Sequence, residues 1–366
     1  MAGNGGGEAA LSAQRARIDA IDAELLQLFN ERAALAQKVA EIKRADGASD
    51  GAFYRPEREA RILREVRDGN AGPLSDEAVV RLFREVMSEC LALERPQTVA
   101  YLGPEGTFTE AAALKHFGHA VSTTPQTAIP EVFREVAAGA AHFGVVPVEN
   151  STEGVVTHTL DTLVRTPLAI CGEVILRIHQ QLLARVDTLA AVRRVYSHAQ
   201  SLAQCREWLD THLAGAERVA VTSNAEAARL AATEDGAAAI ASAAAGEHYG
   251  VPVLAGNIED EPDNTTRFLV LGPEDSAPSG ADKTTLVVSS PNKVGTLHGL
   301  LAPLARHGIN LTRVESRPSR QGVWAYLFYL DIEGHRDDPV VARALAELEA
   351  DASFFRILGS YPRAAT

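Results

Sequence analysis

The chain has 366 residues, 46% of them apolar, with a formal charge of −13 and a pI near 5.4. That length exceeds one typical domain and predicts two to four. The acidic balance, with no long Lys/Arg block, excludes an electrostatic footprint for nucleic acid, and no apolar stretch approaches membrane-spanning length.

Met1 to Ala10 is Gly-rich, without the basic segment and apolar core of a signal peptide, so residues 1–10 are expected to be a disordered tail. From Leu11 to Ile42 apolar residues recur at three- and four-residue steps with no Gly or Pro between them. This predicts one helix of roughly 50 Å. So long a helix is not buried by the short segments around it, which implies a partner chain. Arg15 and Arg32 lie on its apolar stripe, and Lys43 follows Arg32 on the same face, about 16 Å further on. A lone Arg there would snorkel to solvent, but two cations within an apolar seam call for acids or an anionic ligand. Arg15 and Arg32 are about 25 Å apart on the helix, so they share one small ligand only through an antiparallel partner. Asp46-Gly47-Ala48 breaks the helix. A second helix runs from about Pro56 to Arg67, and Ser75 caps a third that ends near Glu94. Arg95-Pro96 is a linker.

From Val99 short apolar runs alternate with Ala-rich helices: Val99–Leu102, Phe143–Val148, Val195–Ser197, Val219–Val221, Ala238–Ala241 and Phe268–Leu271. This is α/β sequence built on doubly wound sheets. Three strand ends are polar: Gly103-Pro104-Glu105-Gly106-Thr107-Phe108, Glu149-Asn150-Ser151-Thr152 and Ser197-His198-Ala199-Gln200-Ser201. The first opens the helix Glu110–Phe117, and the second is expected to precede a helix as an N-cap. Open sheets bind ligands at such ends. Thr266-Arg267-Phe268 joins an acidic turn to the last strand, where a threonine hydroxyl suits a general acid acting on a hydroxyl leaving group.

A Pro/Ser/Gly/Ala-rich linker spans residues 273–282. After it come a strand at Thr284–Val288, a helix through Gly299–His307, and strands at Leu311–Glu315 and Trp324–Ile332. A helix around Val340–Glu349 and a strand at Phe354–Leu358 complete a βαββαβ order, the ferredoxin-like arrangement. Cys90, Cys171 and Cys205 are odd in number and lack a Cys-x-x-Cys pair, so reduced thiols in a cytoplasmic protein are expected, with no disulfide framework and no zinc site.

The motifs carry three resemblances, and the expected fold is multidomain. Residues 11–95 resemble the all-α chorismate mutase family, in which three helices dimerise. The resemblance makes Arg15 the arginine that crosses into the partner's site, and it makes Arg32 and Arg58 clamps for substrate carboxylates. Lys43 and Glu94 would face the ether oxygen, Glu59 the substrate hydroxyl, and Cys90 would line the chorismate site. Arg55 stands where many relatives have an acid, Cys90 where some have Ser and Glu94 where some have Gln. A rearrangement within one molecule needs carboxylate clamps and donors for developing charge, and no covalent group.

Residues 98–272 resemble prephenate dehydratases, a two-lobed α/β fold with the site between lobes. On that resemblance Thr266 is catalytic, and Thr107, Asn150, Ser151, Ser197, Gln204 and Arg267 contribute to prephenate binding. Ala199 replaces the usual Pro after Ser-His. Residues 283–361 resemble the ACT-type regulatory domain of dehydratases, with Gly295-Thr296-Leu297 and Glu315-Ser316-Arg317-Pro318 as its phenylalanine motifs, Thr296 replacing the usual Ala. Gly295, Leu297, Asn310, Glu315 and Ser316 would hold the effector.

Together these imply a bifunctional enzyme with chorismate and prephenate as substrates and L-phenylalanine as inhibitor. It would work as a homodimer, with pairing into tetramers left open, without metal or organic cofactor, nucleic acid or membrane. A preference for arogenate over prephenate is an alternative that no residue decides, and a non-enzymatic two-lobed binding protein with an amino-acid sensor is a more distant one.

Overall fold

The computed structural model describes residues 5–46, 54–290, 293–319 and 326–364. Its N-terminal part is helical: α1 (Gly5–Ala45), α2 (Pro56–Asp68) and α3 (Asp76–Glu94). The first helix begins inside the stretch expected to be a tail, because Glu8-Ala9-Ala10 are good helix formers running straight into the periodic segment. Met1–Asn4 and the expected break at Gly47-Ala48 lie outside the described residues. Ser75 caps α3, its Oγ accepting from the Ala78 N–H at 3.2 Å. Ala40, Leu63, Met87 and Cys90 are buried between the helices, but Ile18, Leu25, Leu28, Phe29, Leu35 and Val39 of α1 are 42–56% exposed.

The α/β region forms two lobes. The first lobe's sheet comprises β1 (Thr98–Leu102), β2 (Ser122–Gln126), β3 (Phe143–Asn150), β5 (Ala169–Arg177) and β11 (Thr265–Gly272), in the order β2-β1-β3-β11-β5. A short β4 (Gly154–Val155) pairs with β3. The chain therefore leaves β3 in a hairpin, and Glu149–Thr152 does not open a helix; the next one, α6, starts at Thr157. The helices α4 (Phe108–Phe117) and α5 (Ile129–Ala137) pack on this sheet. The second lobe orders its strands β10-β6-β9-β7-β8, from β6 (Gln181–Ala184), β7 (Arg194–His198), β8 (Glu217–Val221), β9 (Ala237–Ala241) and β10 (Val253–Ala255). Its helices are α7 (Ala199–Gln204), α8 (Arg206–His212), α9 (Asn224–Ala231) and α10 (Ala243–Tyr249). The chain crosses between lobes at 178–180 and returns at 256–264, delivering β11 antiparallel between β3 and β5.

The C-terminal unit has the expected βαββαβ order: β12 (Asp282–Ser289), α11 (Thr296–Arg306), β13 (Leu311–Pro318), β14 (Tyr326–Glu333), α12 (Pro339–Asp351) and β15 (Phe354–Pro362). Trp324, placed on its third strand by the sequence, lies outside the described residues. The strand order is β13-β14-β12-β15. One face packs Leu286, Val288, Leu330 and Ile332 against Leu300, Leu304 and Leu348 of the helices. The other face presents Val287, Tyr329 and Tyr361 to the first lobe and shares one apolar core with it. The approach is closest at Gly359, where a Cβ would lie 2.2 Å from the Ile170 carbonyl oxygen, so only glycine fits.

Candidate active sites

A cavity of about 650 Å³ opens beside the three N-terminal helices. Arg32 and Lys43 reach it from α1, Arg58 and Glu59 from α2, and Cys90 and Glu94 from α3. Six of the seven positions singled out for a chorismate site thus meet in one place. Arg15 does not line it; it is exposed on α1, roughly 25 Å of helix away from Arg32. Lys43 Nζ donates to Glu94 Oε2 at 3.3 Å, and Arg44 donates to the Glu94 backbone carbonyl. Burial pushes the Glu59 carboxyl up to about 7, against the opposing pull of Arg84. Arg84 Nε lies 3.8 Å from Glu59 Oε1, and the sequence reading missed this residue. Steps of three, three and four residues put Arg84 on the α3 face of Met87, Cys90 and Glu94, a signal the sequence does carry.

The second site lies between the lobes. Thr266 is the second residue of β11 and sits opposite Asn150, the last of β3. Asn150 Nδ2 donates to Thr266 Oγ1 at 2.9 Å. The threonine oxygen thereby accepts, and its own proton remains available to a substrate, the arrangement a general acid needs. Ser151 pins the start of β11, its Oγ accepting from the Thr265 N–H at 2.9 Å. Gln204, from α7 of the second lobe, reaches the same cluster: its Nε2 donates to Thr152 Oγ1 at 3.2 Å, and its Oε1 accepts from Asn264 at 3.1 Å.

Two other expected prephenate residues play supporting parts. Thr107 caps α4 and donates to the Leu102 carbonyl at 3.2 Å. Its loop closes onto the second lobe: Ser242 Oγ donates to the Gly106 carbonyl at 2.7 Å. Gly106, at φ +81°, passes so near α10 that a Cβ would meet Ala245 Cα at 2.9 Å. Ser197 is fully buried and directs its hydroxyl at Asn224 Oδ1 and the Ile240 carbonyl, both at 2.9 Å, so it orients Asn224 and does not face the cleft.

Arg267, expected at the prephenate site, is engaged elsewhere. Successive strand residues point to opposite faces, so with Thr266 on the side of Asn150, Arg267 lies on the other. It donates to Glu173 Oε2 at 2.8 Å, to Asp331 Oδ2 and to the Tyr361 hydroxyl at 2.9 Å, the last two in the C-terminal unit. Lys283 completes this buried network on Glu173 at 2.8 Å. Burial alone would raise the Asp331 carboxyl, but Arg267 and the Thr285 hydroxyl hold it below the usual range. Arg267 is therefore engaged as an interdomain anchor, its guanidinium held away from Thr266.

In the C-terminal unit Ser316 pairs with Phe328, which pairs in turn with Val288 at the end of β12, where the chain leaves for α11. Gly295, at φ +77°, caps α11, and Leu297 lies in its first turn. The motif Glu315–Pro318 lies within β13 and does not turn after it, so Glu315 and Ser316 face opposite ways. Glu315 shares its face with Arg313 and Arg317, which bind Glu149 at 2.8 Å and Asp161 at 3.2 Å in the first lobe. Asn310, exposed, accepts the Glu333 N–H through its carbonyl at 3.0 Å. Ser316 thus lies at the end of the sheet from which the chain leaves β12, with Glu315 turned toward the dehydratase lobe.

Three family models match in succession: chorismate mutase type II over residues 14–95, prephenate dehydratase over 99–276 and the ACT domain over 284–350. The chain is 55% identical to the bifunctional chorismate mutase/prephenate dehydratase of Stutzerimonas stutzeri over 357 residues, 97% of this chain and 98% of that one. It is 55% identical to the enzyme of the same name from Neisseria gonorrhoeae, over 96% of each chain. Among solved structures, the prephenate dehydratase of Arthrobacter aurescens in complex with L-Phe aligns with a TM-score of 0.68 at 39% identity, covering 73% of this chain and 90% of that one.

Proposed function

The chain belongs to the bifunctional chorismate mutase/prephenate dehydratase family, and from that premise we propose how its two sites divide the work. The enzyme rearranges chorismate to prephenate, converts prephenate to phenylpyruvate, and is inhibited by L-phenylalanine. In the helical cavity Arg32 and Arg58 hold the two carboxylates of chorismate in the reactive conformer, and Glu59 binds the ring hydroxyl. Lys43, steadied by Glu94, donates to the ether oxygen as its bond to the ring breaks. Arg15 serves the equivalent cavity of a second copy. The exposed apolar row on α1 supports that homodimer, because a stripe of this size is ordinarily covered.

In the interlobe cleft Thr266 protonates the ring hydroxyl of prephenate. The C–O bond breaks to release water, the electron pair of the bond to the ring carboxylate moves into the ring, and carbon dioxide leaves. Aromatisation drives the step, and solvent returns the proton to the threonine. Prephenate itself supplies the electrons, so this scheme assigns the chain's residues only binding, orientation and one proton. The observation that carries it is the 2.9 Å contact in which Asn150 donates to Thr266 and leaves the hydroxyl proton free. Gln204 and Ser151 shape the pocket, while Ser197 and Thr107 hold its walls. Phenylalanine binds between the α11 start and Ser316, with Gly295 and Leu297 in that helix start, whereas Asn310, beside Glu333 at the other end of β13, is left out of that contact.

Thr266→Ala should abolish phenylpyruvate formation while prephenate still binds, since the lost group acts mainly in the transition state, and Thr266→Ser should keep part of the rate. Single-turnover assays with prephenate check both. A fully active alanine variant would remove the general-acid role.

A further inference from the structure

The proton-donating role of Thr266 requires that Asn150 present its NH₂ and not its carbonyl to the threonine. An amide turned by half a rotation would accept the hydroxyl proton and disable the acid. One side of this choice is fixed locally: Asn150 Oδ1 accepts from the Thr152 N–H at 3.1 Å, the Thr152 hydroxyl at 2.6 Å and the Glu153 N–H at 3.0 Å. The other side is fixed by Asn264, a 1% exposed residue in the chain's return between lobes. Asn150 has two N–H bonds to give, and its short contacts are Thr266 Oγ1 at 2.9 Å and Asn264 Oδ1 at 2.8 Å, with the Thr265 carbonyl a longer acceptor at 3.4 Å.

Asn264 is itself held in one sense. Its Nδ2 donates to Gln204 Oε1, which also accepts from Gln180 Nε2 at 3.2 Å, and Gln204 then donates onward to Thr152. The amide directions thus run consistently from the second lobe to the threonine. Asn150 and Asn264 are buried, where a reversed amide would set donor against donor on one side and acceptor against acceptor on the other.

We infer that Asn264 is a positioning residue for the dehydratase reaction: acting through Asn150, it sets the direction of the Thr266 proton and ties that direction to the seating of Gln204 from the second lobe. This rests on Thr266 being the general acid. Asn264 never contacts the reacting atoms in this scheme, so its removal affects turnover more than substrate capture.

The test is steady-state kinetics on prephenate with two variants of the full chain. Asn264→Ala removes the acceptor facing Asn150 and is expected to lower kcat about 10- to 100-fold, within the range general acids supply, with KM changed less than about threefold. Asn264→Asp keeps an oxygen toward Asn150 but sets its other oxygen against Gln204 Oε1. It is expected to hold kcat within about fivefold of the parent and raise KM, a split that general loss of packing would not give. Wild-type kcat in Asn264→Ala, a loss confined to KM, or Asn264→Asp as slow as Asn264→Ala would each overturn the inference. Should Asn264→Ala fail to fold, Asn264→Asp decides alone, a fall in kcat beyond about tenfold counting against it. Thr266→Ala assayed alongside keeps the two readings apart. If that variant is fully active, the general-acid reading fails; if it is dead beside a fully active Asn264→Ala, only the role of Asn264 fails.

Discussion

At the scale of single residues, most candidate groups were legible because each stands in a motif, but what each does depends on direction, which a motif does not encode. Thr266 and Arg267 are neighbours in sequence and part ways at the strand, one to the cleft and one to the interdomain network. Asn264 and Arg84 were missed because their partners come from other elements. Two partly buried groups give opposite pH signatures. His116, facing Tyr54 at 3.0 Å, is lowered to about 3 by burial, with Arg84 adding to the shift, so it stays neutral in the fold while the unfolded chain takes up a proton below about 6.5. Its contribution is present above that pH and is lost as pH falls toward 3. Glu59 holds its proton in the fold up to about 7, so its contribution is present at low pH and lost as pH rises through the window from 4.5 to 7. Glu59→Gln should therefore raise the denaturation midpoint more at pH 7 than at pH 4.5. Equal shifts at both values would show that the carboxyl ionises normally. Lys43→Ala should cut chorismate turnover by about two or more orders of magnitude and leave turnover of added prephenate near the parent value, as loss of one preorganised donor does. Equal loss of both would make Lys43 structural.

At the scale of elements, the long helix, its partners and the C-terminal βαββαβ order followed from periodicity and caps. The strands β2, β5, β6 and β10 did not. Ser122–Gln126 is polar and lies at the sheet edge, and Ala169–Arg177 carries Gly172 and Glu173 in its middle. Glu173 is tolerated there because Arg267 and Lys283 neutralise it, a compensation that local sequence cannot reveal. Removing the guanidinium from this network leaves buried Asp331 without its ion-pair partner and Glu173 with Lys283 alone. Arg267→Met should destabilise the chain by roughly 3–5 kcal/mol and weaken inhibition by phenylalanine, because the anchor joins β11 to β14 and β15. Unchanged denaturation and inhibition curves would show that the domains are held by the apolar contact alone. On α1, Leu25→Asp places a charge in the exposed apolar row. Sedimentation should then show monomers, with mutase activity lost and dehydratase activity kept. A monomeric variant with full mutase activity would show that Arg15 is not shared between chains.

At the scale of the whole molecule, the domain order was readable because composition changes at Arg95-Pro96 and again after Gly272, and the three family models follow one another in that order. What no linear reading gave is how closely the parts are joined. Tyr329 donates to the Leu160 carbonyl at 2.9 Å, Gly359 lies against Ile170, and Arg267 links the strand of Thr266 to the regulatory sheet. The strand that carries Thr266 is thus braced on its outer face by the ACT domain. On the proposed assignment the two reactions nevertheless use separate groups on separate elements. The most direct test of that assignment is to supply chorismate to Lys43→Ala and Thr266→Ala, singly and mixed, and follow prephenate and phenylpyruvate. Lys43→Ala alone should yield next to nothing from chorismate, Thr266→Ala alone should accumulate prephenate, and the mixture should form phenylpyruvate through free prephenate. A mixture that forms no phenylpyruvate, or a Thr266→Ala protein that accumulates no prephenate, would contradict two independent sites on one chain.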